Sequence, residues 1–108
     1  MAWIGFKVSD AEEERLDFEG IARAALAHSD ALVRKWLPEG RMSNGEWVAL
    51  NPHRMDNNLG SFRINLGTGR WADFASGDSG GDLISLAAFV FAISNAKAAR
   101  LIKSGLGV

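Results

Sequence analysis

One stretch, Asn51 to Leu86, restricts the folds open to this chain more than any other. Ser61–Leu66 alternates: Phe62, Ile64 and Leu66 share one side, and Ser61, Arg63 and Asn65 the other. That is the period of a half-buried strand. Gly67-Thr68-Gly69 then turns the chain, and Arg70–Phe74 reads as the next strand, with Trp71 and Asp73 on one side and Arg70, Ala72 and Phe74 on the other. Ala75–Gly81 is a glycine-rich loop, and Asp82 stands where a helix over Leu83–Ala92 needs an acceptor for its first free N–H groups. Upstream, Asn44-Gly45 is the dipeptide of a type I′ hairpin. It joins a strand near Arg41–Ser43 to another over Glu46–Leu50. These pieces predict a small antiparallel sheet of three or four strands.

Helices flank the sheet. Asp17 is a plausible cap for a helix from Phe18 to Leu37, in which Phe18, Ile21, Ala22, Ala25, Leu32, Val33 and Trp36 recur at helical spacing. His28 with Ser29-Asp30 marks a place where this helix can kink or break, and Pro38-Glu39-Gly40 stops it. Ser94 opens a last helix over Asn95–Lys103. Residues 1–16 read as a loosely ordered segment carrying Trp3, Ile4, Phe6, Val8 and a solvated acidic run, Glu12–Glu14. Residues 104–108 read as a tail. The expectation is an α+β fold with one domain over residues 17–103: an N-terminal helix, then the sheet, then two short helices packed on it.

Composition narrows the function classes. A chain of 108 residues suits one domain, and 47% hydrophobic with 23% charged residues suits a packed core. Ten aromatics, four Trp and six Phe, supply much of the apolar area. The chain has no cysteine, which excludes disulfides and thiolate metal sites and fits a cytoplasmic protein. The N-terminus lacks the pattern of a signal peptide, and the longest apolar run, Leu86 to Ile93, is too short to cross a membrane. Net charge is −1, but unevenly spread: residues 1–39 net −3, and residues 40–75 net +1 through Arg41, Arg54, Arg63 and Arg70. This weak basic bias supports only weak or assisted binding to a polyanion.

The motifs for chemistry are sparse. Gly77-Asp78-Ser79-Gly80-Gly81-Asp82 precedes a helix N-terminus, a place that can hold phosphate. It lacks the Gly-Lys-Ser/Thr ending of a nucleotide-binding loop, and its two aspartates repel anions, so a turn plus an Asp cap is the simpler reading. His53, Asp56, Asp73, Asp78 and Asp82 are the available metal donors, but structural zinc needs paired Cys and His at short spacings. Ser61, Ser76 and Ser79 have no surroundings of a nucleophile elbow. No catalytic residue is assigned. For nucleic acid, Arg63 and Arg70 stand near Trp71, with Arg41, Trp47 and Arg54 close in sequence. Two readings stand. An exposed aromatic beside arginines is a stacking platform for single-stranded bases; alternatively Trp47 and Trp71 pack in the core and the arginines only solubilise.

The order of these pieces resembles the N-terminal zinc-ribbon domain of bacterial, phage and plasmid DNA primases. The pieces are Asn51-Pro52-His53-Arg54 at a first knuckle, Gly60-Ser61-Phe62-Arg63-Ile64 at a strand start, Asp73-Phe74-Ala75-Ser76 at a second knuckle, and Gly80-Gly81-Asp82-Leu83-Ile84 at a helix start. The likeness covers about Trp47–Leu101, half the chain, and is greatest to zinc-less versions at the start of phage or integrated-element primase–helicase polypeptides. It departs from the family at the metal: the positions resembling the four ligands hold Asn51, Arg54, Asp73 and Ser76, so no zinc and no other cofactor is expected. The resemblance implies a zinc-ribbon-like but metal-free sheet. It also implies a non-catalytic DNA-binding domain that contacts single-stranded template DNA through Arg54, Arg63, Arg70 and Trp71, attached or accessory to a primase or helicase core. The alternative is a module that docks on replication proteins without binding DNA. No membrane partner is expected.

Overall fold

A computed structural model describes residues 16–54 and 59–108. The segment expected to be loosely ordered lies outside the described residues except for Leu16, as does Asp56. Element order is α1 (Phe18–Ala27), α2 (Ser29–Trp36), β1 (Gly40–Ser43), β2 (Glu46–Ala49), β3 (Phe62–Asn65), β4 (Trp71–Asp73), β5 (Ser79–Gly80), α3 (Leu83–Phe91) and α4 (Asn95–Leu106). The fold is α+β, with an N-terminal helical pair, one antiparallel sheet and two C-terminal helices.

Asp17 caps α1 by accepting from the Gly20 N–H at 2.9 Å. The helix expected to run from Phe18 to Leu37 is two helices that break at His28, which leaves helical geometry and closes α1 by donating to Ala25. The break has a partner in the sheet. Ser29 is buried there, and its hydroxyl donates to the Leu66 carbonyl at 2.7 Å. At the far end of α2, the Trp47 indole N–H donates to the Leu37 carbonyl at 2.8 Å, and the Arg34 guanidinium lies 4.5 Å from the Trp47 ring centre.

The strands run in sequence order, β1-β2-β3-β4-β5, each antiparallel to the next. Asn44 and Gly45 both take positive φ, 52° and 81°, as a type I′ turn requires. The fifth strand was not expected from the sequence. Ser79-Gly80 lies within the glycine-rich loop and pairs with Trp71-Ala72. Gly80 sits opposite Trp71, where a β-carbon would overlap the Trp71 indole nitrogen and the Ser85 hydroxyl. Only glycine lets this edge close over the indole.

One core joins the layers. Trp47, Ala49, Phe62, Ile64 and Trp71 from the sheet meet Ile21, Ala25, Val33, Leu83, Leu86, Ala98 and Ile102 from the helices. Asp82 caps α3 through the Ser85 N–H, and Ser94 caps α4 through the Lys97 N–H. The last helix runs to Leu106, three residues beyond the expected end, so residues 104–106 belong to it rather than to a tail. Leu106 packs against the core, and Gly107 ends the helix in left-handed geometry. Among the described residues no single helix is long and apolar enough to cross a membrane.

Candidate nucleic-acid interface and its knuckles

Two loops flank the start of β3 and the end of β4: Asn51–Arg54 and Asp73–Ser76. Each folds around one side chain. The Asn51 Oδ1 accepts from the His53 N–H at 2.8 Å, and the Asp73 Oδ1 accepts from Ala75 N at 2.8 Å and Ser76 N at 3.3 Å. These are Asx turns, in which a short polar side chain mimics the next backbone turn. The remaining atoms tie the loops together. The Asn51 Nδ2 donates to Asp73 Oδ2 at 2.7 Å, and the Arg54 Nη2 lies 3.3 Å from the same oxygen while donating to Ser61 Oγ at 3.0 Å. Asn51 and Asp73 are buried, and their donors and acceptors are matched.

Electrostatics at Asp73 follow from this arrangement. Burial alone would raise its carboxyl pKa. Hydrogen bonds from Asn51, from the Ala75 and Ser76 backbone and from Ser61 outweigh burial and hold it below its ordinary value of 3.8. An ionised carboxylate, an amide and a guanidinium thus bridge two short turns. His53 adds an anchor: its ring nitrogen hydrogen-bonds the Phe89 carbonyl near the end of α3, and the ring meets Phe89 edge-on at 4.8 Å.

Three of the four positions likened to zinc ligands, Asn51, Arg54 and Asp73, meet side chain to side chain. Ser76 joins through its backbone N–H, and its hydroxyl turns away to Asp78 at 2.8 Å. Among the described residues no three His, Asp or Glu side chains converge as metal donors. Asp78 and Asp82 serve the turn and the helix cap.

The second feature is the face of the sheet away from the core. Antiparallel register puts Arg41, Val48, Arg63, Ala72 and Ser79 in one row across all five strands. Residues directly opposite share a face, so Arg41 stands with Arg63 there, and Arg70 and Phe74 flank Ala72 on the same side of β4. An open groove of about 680 Å³ runs over this face, with Glu46, Arg63, Asn65, Arg70, Ala72 and Phe74 among its lining residues. Arg63 is oriented within it. Its Nε donates to the Gly60 carbonyl at 2.9 Å, and its Nη1 to Glu46 Oε1 at 3.3 Å. Arg41 and Arg70 are exposed.

The four residues expected to meet DNA therefore separate. Arg63 and Arg70 share the outer groove. Arg54 does not join them, because its guanidinium is held between Ser61 and Asp73 in the knuckle cluster. Trp71 also departs from expectation: its side chain is buried at 5% exposure, donates to Ser85 Oγ at 2.9 Å, and packs against Phe62 and Phe89. A ring so placed has no face free for a base. The aromatic on the arginine side is Phe74, 75% exposed. Its parity with Arg70 and Ala72 was legible in the sequence. Which side of β4 faced the core was not, because Trp71 and Asp73 together look no more buried than Arg70 and Phe74 until Asn51 and Arg54 are seen to meet Asp73.

Comparison with protein-family models, curated proteins and solved structures finds no match. The functional reading therefore rests on these two features and on the motif resemblance.

Proposed function

We propose that this chain is a metal-free, primase-type ribbon domain that holds single-stranded template DNA on its outer sheet face, acting in the cytoplasm with no chemistry of its own. The observation that carries this reading is the arginine face. Arg41, Arg63 and Arg70 stand on the side of the sheet turned away from the helical core, where Arg63 and Arg70 line the groove together with the Glu46 carboxylate. A chain with net charge −1 gathers positive charge here although it carries none overall. Such a face meets phosphates one by one, each contact releasing counterions. The knuckle cluster supports the reading differently: its hydrogen bonds join the loops that zinc would join in the resembled family.

Titration of a labelled single-stranded oligonucleotide at two salt concentrations tests it. Replacing Arg63 and Arg70 together by alanine is expected to weaken binding and to reduce the salt slope by about 1.4, at about 0.7 per lost phosphate contact. Equal affinity and equal slope in the double variant refutes the proposal.

A different surface favours the second reading, a module that docks on a primase or helicase core. Leu32, Trp36, Phe91, Leu101 and Ile102 line an apolar groove of about 410 Å³ on the helical side, where Phe91 and Leu101 are exposed. Co-purification with a primase core that Leu101→Asp abolishes, with no oligonucleotide binding at low salt, selects that reading over the first.

A further inference from the structure

Phe74 is the most exposed of the large apolar side chains among the described residues, at 75%, against 59% for Leu101 and 46% for Phe91. Its backbone is nevertheless tightly held. The Phe74 N–H donates to the Ser61 carbonyl at 2.9 Å, and the next three backbone N–H groups, of Ala75, Ser76 and Gly77, all donate to Asp73. A free aromatic ring on a clamped backbone is an unusual allocation, because a mobile loop would fold the ring back onto apolar surface. Its surroundings are cationic. Ala72 forms a small floor two residues before it; Arg63 lies opposite Ala72 on β3; Arg70 lies two residues before Ala72, just ahead of β4.

Resting on the single-strand reading above, we propose that Phe74 is a base-stacking residue, and that the groove over Ala72 takes one unpaired base on the Phe74 ring while Arg63 and Arg70 contact the flanking phosphates. Charge complementarity selects this occupant. An apolar protein partner would have to strip water from Arg63 and Arg70 to reach the ring, whereas a single strand presents π-faces and phosphates together. A duplex is a poor ligand, since its bases already stack on each other and their faces are not free to meet a fixed ring.

Fluorescence anisotropy with the full chain and labelled oligothymidine, on the order of ten nucleotides long, tests the assignment. Phe74→Ala is expected to weaken binding about tenfold, and Phe74→Leu to weaken it as much, because bulk without a ring does not stack. Phe74→Trp is expected to retain affinity. The salt slope stays at the wild-type value in all three, since no phosphate contact is lost. A fully paired hairpin of the same length binds more weakly than the single strand. Circular dichroism and urea unfolding confirm that each variant is folded, as expected for so exposed a side chain. Wild-type affinity in Phe74→Ala overturns the inference and leaves the ring for a protein partner. If the Arg63 and Arg70 substitutions still lower the slope in that case, the single-strand reading survives. If the wild-type chain shows no salt-dependent binding at all, both fall.

Discussion

Asp73→Ala probes the knuckle cluster directly. The substitution removes the acceptor that pairs with the Asn51 side-chain amide and with the Ala75 and Ser76 N–H groups, and it takes away the ion-pair partner of Arg54. Asn51 is 2% exposed, so its Nδ2 is left without water. An unsatisfied buried donor costs about 1–3 kcal/mol. The Arg54 side chain is 31% exposed and recovers part of its solvation, so its share is discounted. The expected total is about 2–4 kcal/mol, against the roughly 5–15 kcal/mol that holds a domain together. In thermal unfolding followed by tryptophan fluorescence this is a fall in Tm on the order of 10–15 °C. Asp73→Asn keeps the shape but turns an amide toward the Asn51 Nδ2 and Arg54, both donors, so it lies nearer to Asp73→Ala than to wild type. The same carboxylate sets a pH dependence. Its folded pKa lies below the ordinary value of 3.8, so the unfolded chain binds the extra proton first as pH falls. The stabilisation is therefore complete above about pH 5 and is lost as pH drops below 3.8 through the folded value. Asp73→Ala lacks this component of acid sensitivity. Stability of Asp73→Ala within about 1 kcal/mol of wild type near neutral pH refutes the claim that this cluster holds the knuckles.

Gly80→Ala is expected to cost about 1–3 kcal/mol in urea unfolding, since the added carbon overlaps the Trp71 indole and Ser85; a neutral result removes the stated reason for the fifth strand. Placing cysteine at Asn51, Arg54, Asp73 and Ser76 together is expected to create a tetrahedral thiolate site once the side chain at position 76 rotates from Asp78 toward the other three. Cobalt titration would read it out as visible absorption, with metal-dependent stabilisation on the order of 10 kcal/mol. A four-cysteine chain that binds neither cobalt nor zinc counts against the ribbon resemblance.

Local rules located the turns and caps because each depends on one or two residues. Asn44-Gly45, Asp17, Asp82 and Ser94 sit where the type I′ turn and the three helix caps require them. The alternation over Ser61–Leu66 placed Phe62 and Ile64 in the core and Arg63 and Asn65 outside it. What the sequence left open was decided by partners elsewhere in the chain. The break at His28, which the sequence marked as possible, falls where Ser29 meets Leu66, thirty-seven residues away. The two-residue β5 can pair with β4 because glycine stands opposite Trp71. Arg54 left the expected DNA-binding set because Asp73 and Ser61 hold it, and Trp71 because Ser85, Phe62 and Phe89 surround it.

Adjacent residues in the second knuckle divide the work of the site. Asp73 points inward and ties the loops, while Phe74 points outward into the arginine groove. Strand alternation couples the two: a slip of one residue would bury Arg70 and Phe74 and expose Trp71 and Asp73. The slipped state would strand the Arg70 guanidinium in the core and leave the Asn51 amide without its acceptor. The buried Asp73 carboxylate, costly to desolvate by itself, thereby fixes which face of β4 meets solvent once Asn51 and Arg54 are in place to satisfy it. A metal at the same place would tie the loops with no such preference about charge on β4. With an amide, a carboxylate and a guanidinium in its place, the hydrogen bonds of Asp73 add to the burial of Trp71 in fixing the register of the sheet, and with it the presentation of Phe74 and Arg70.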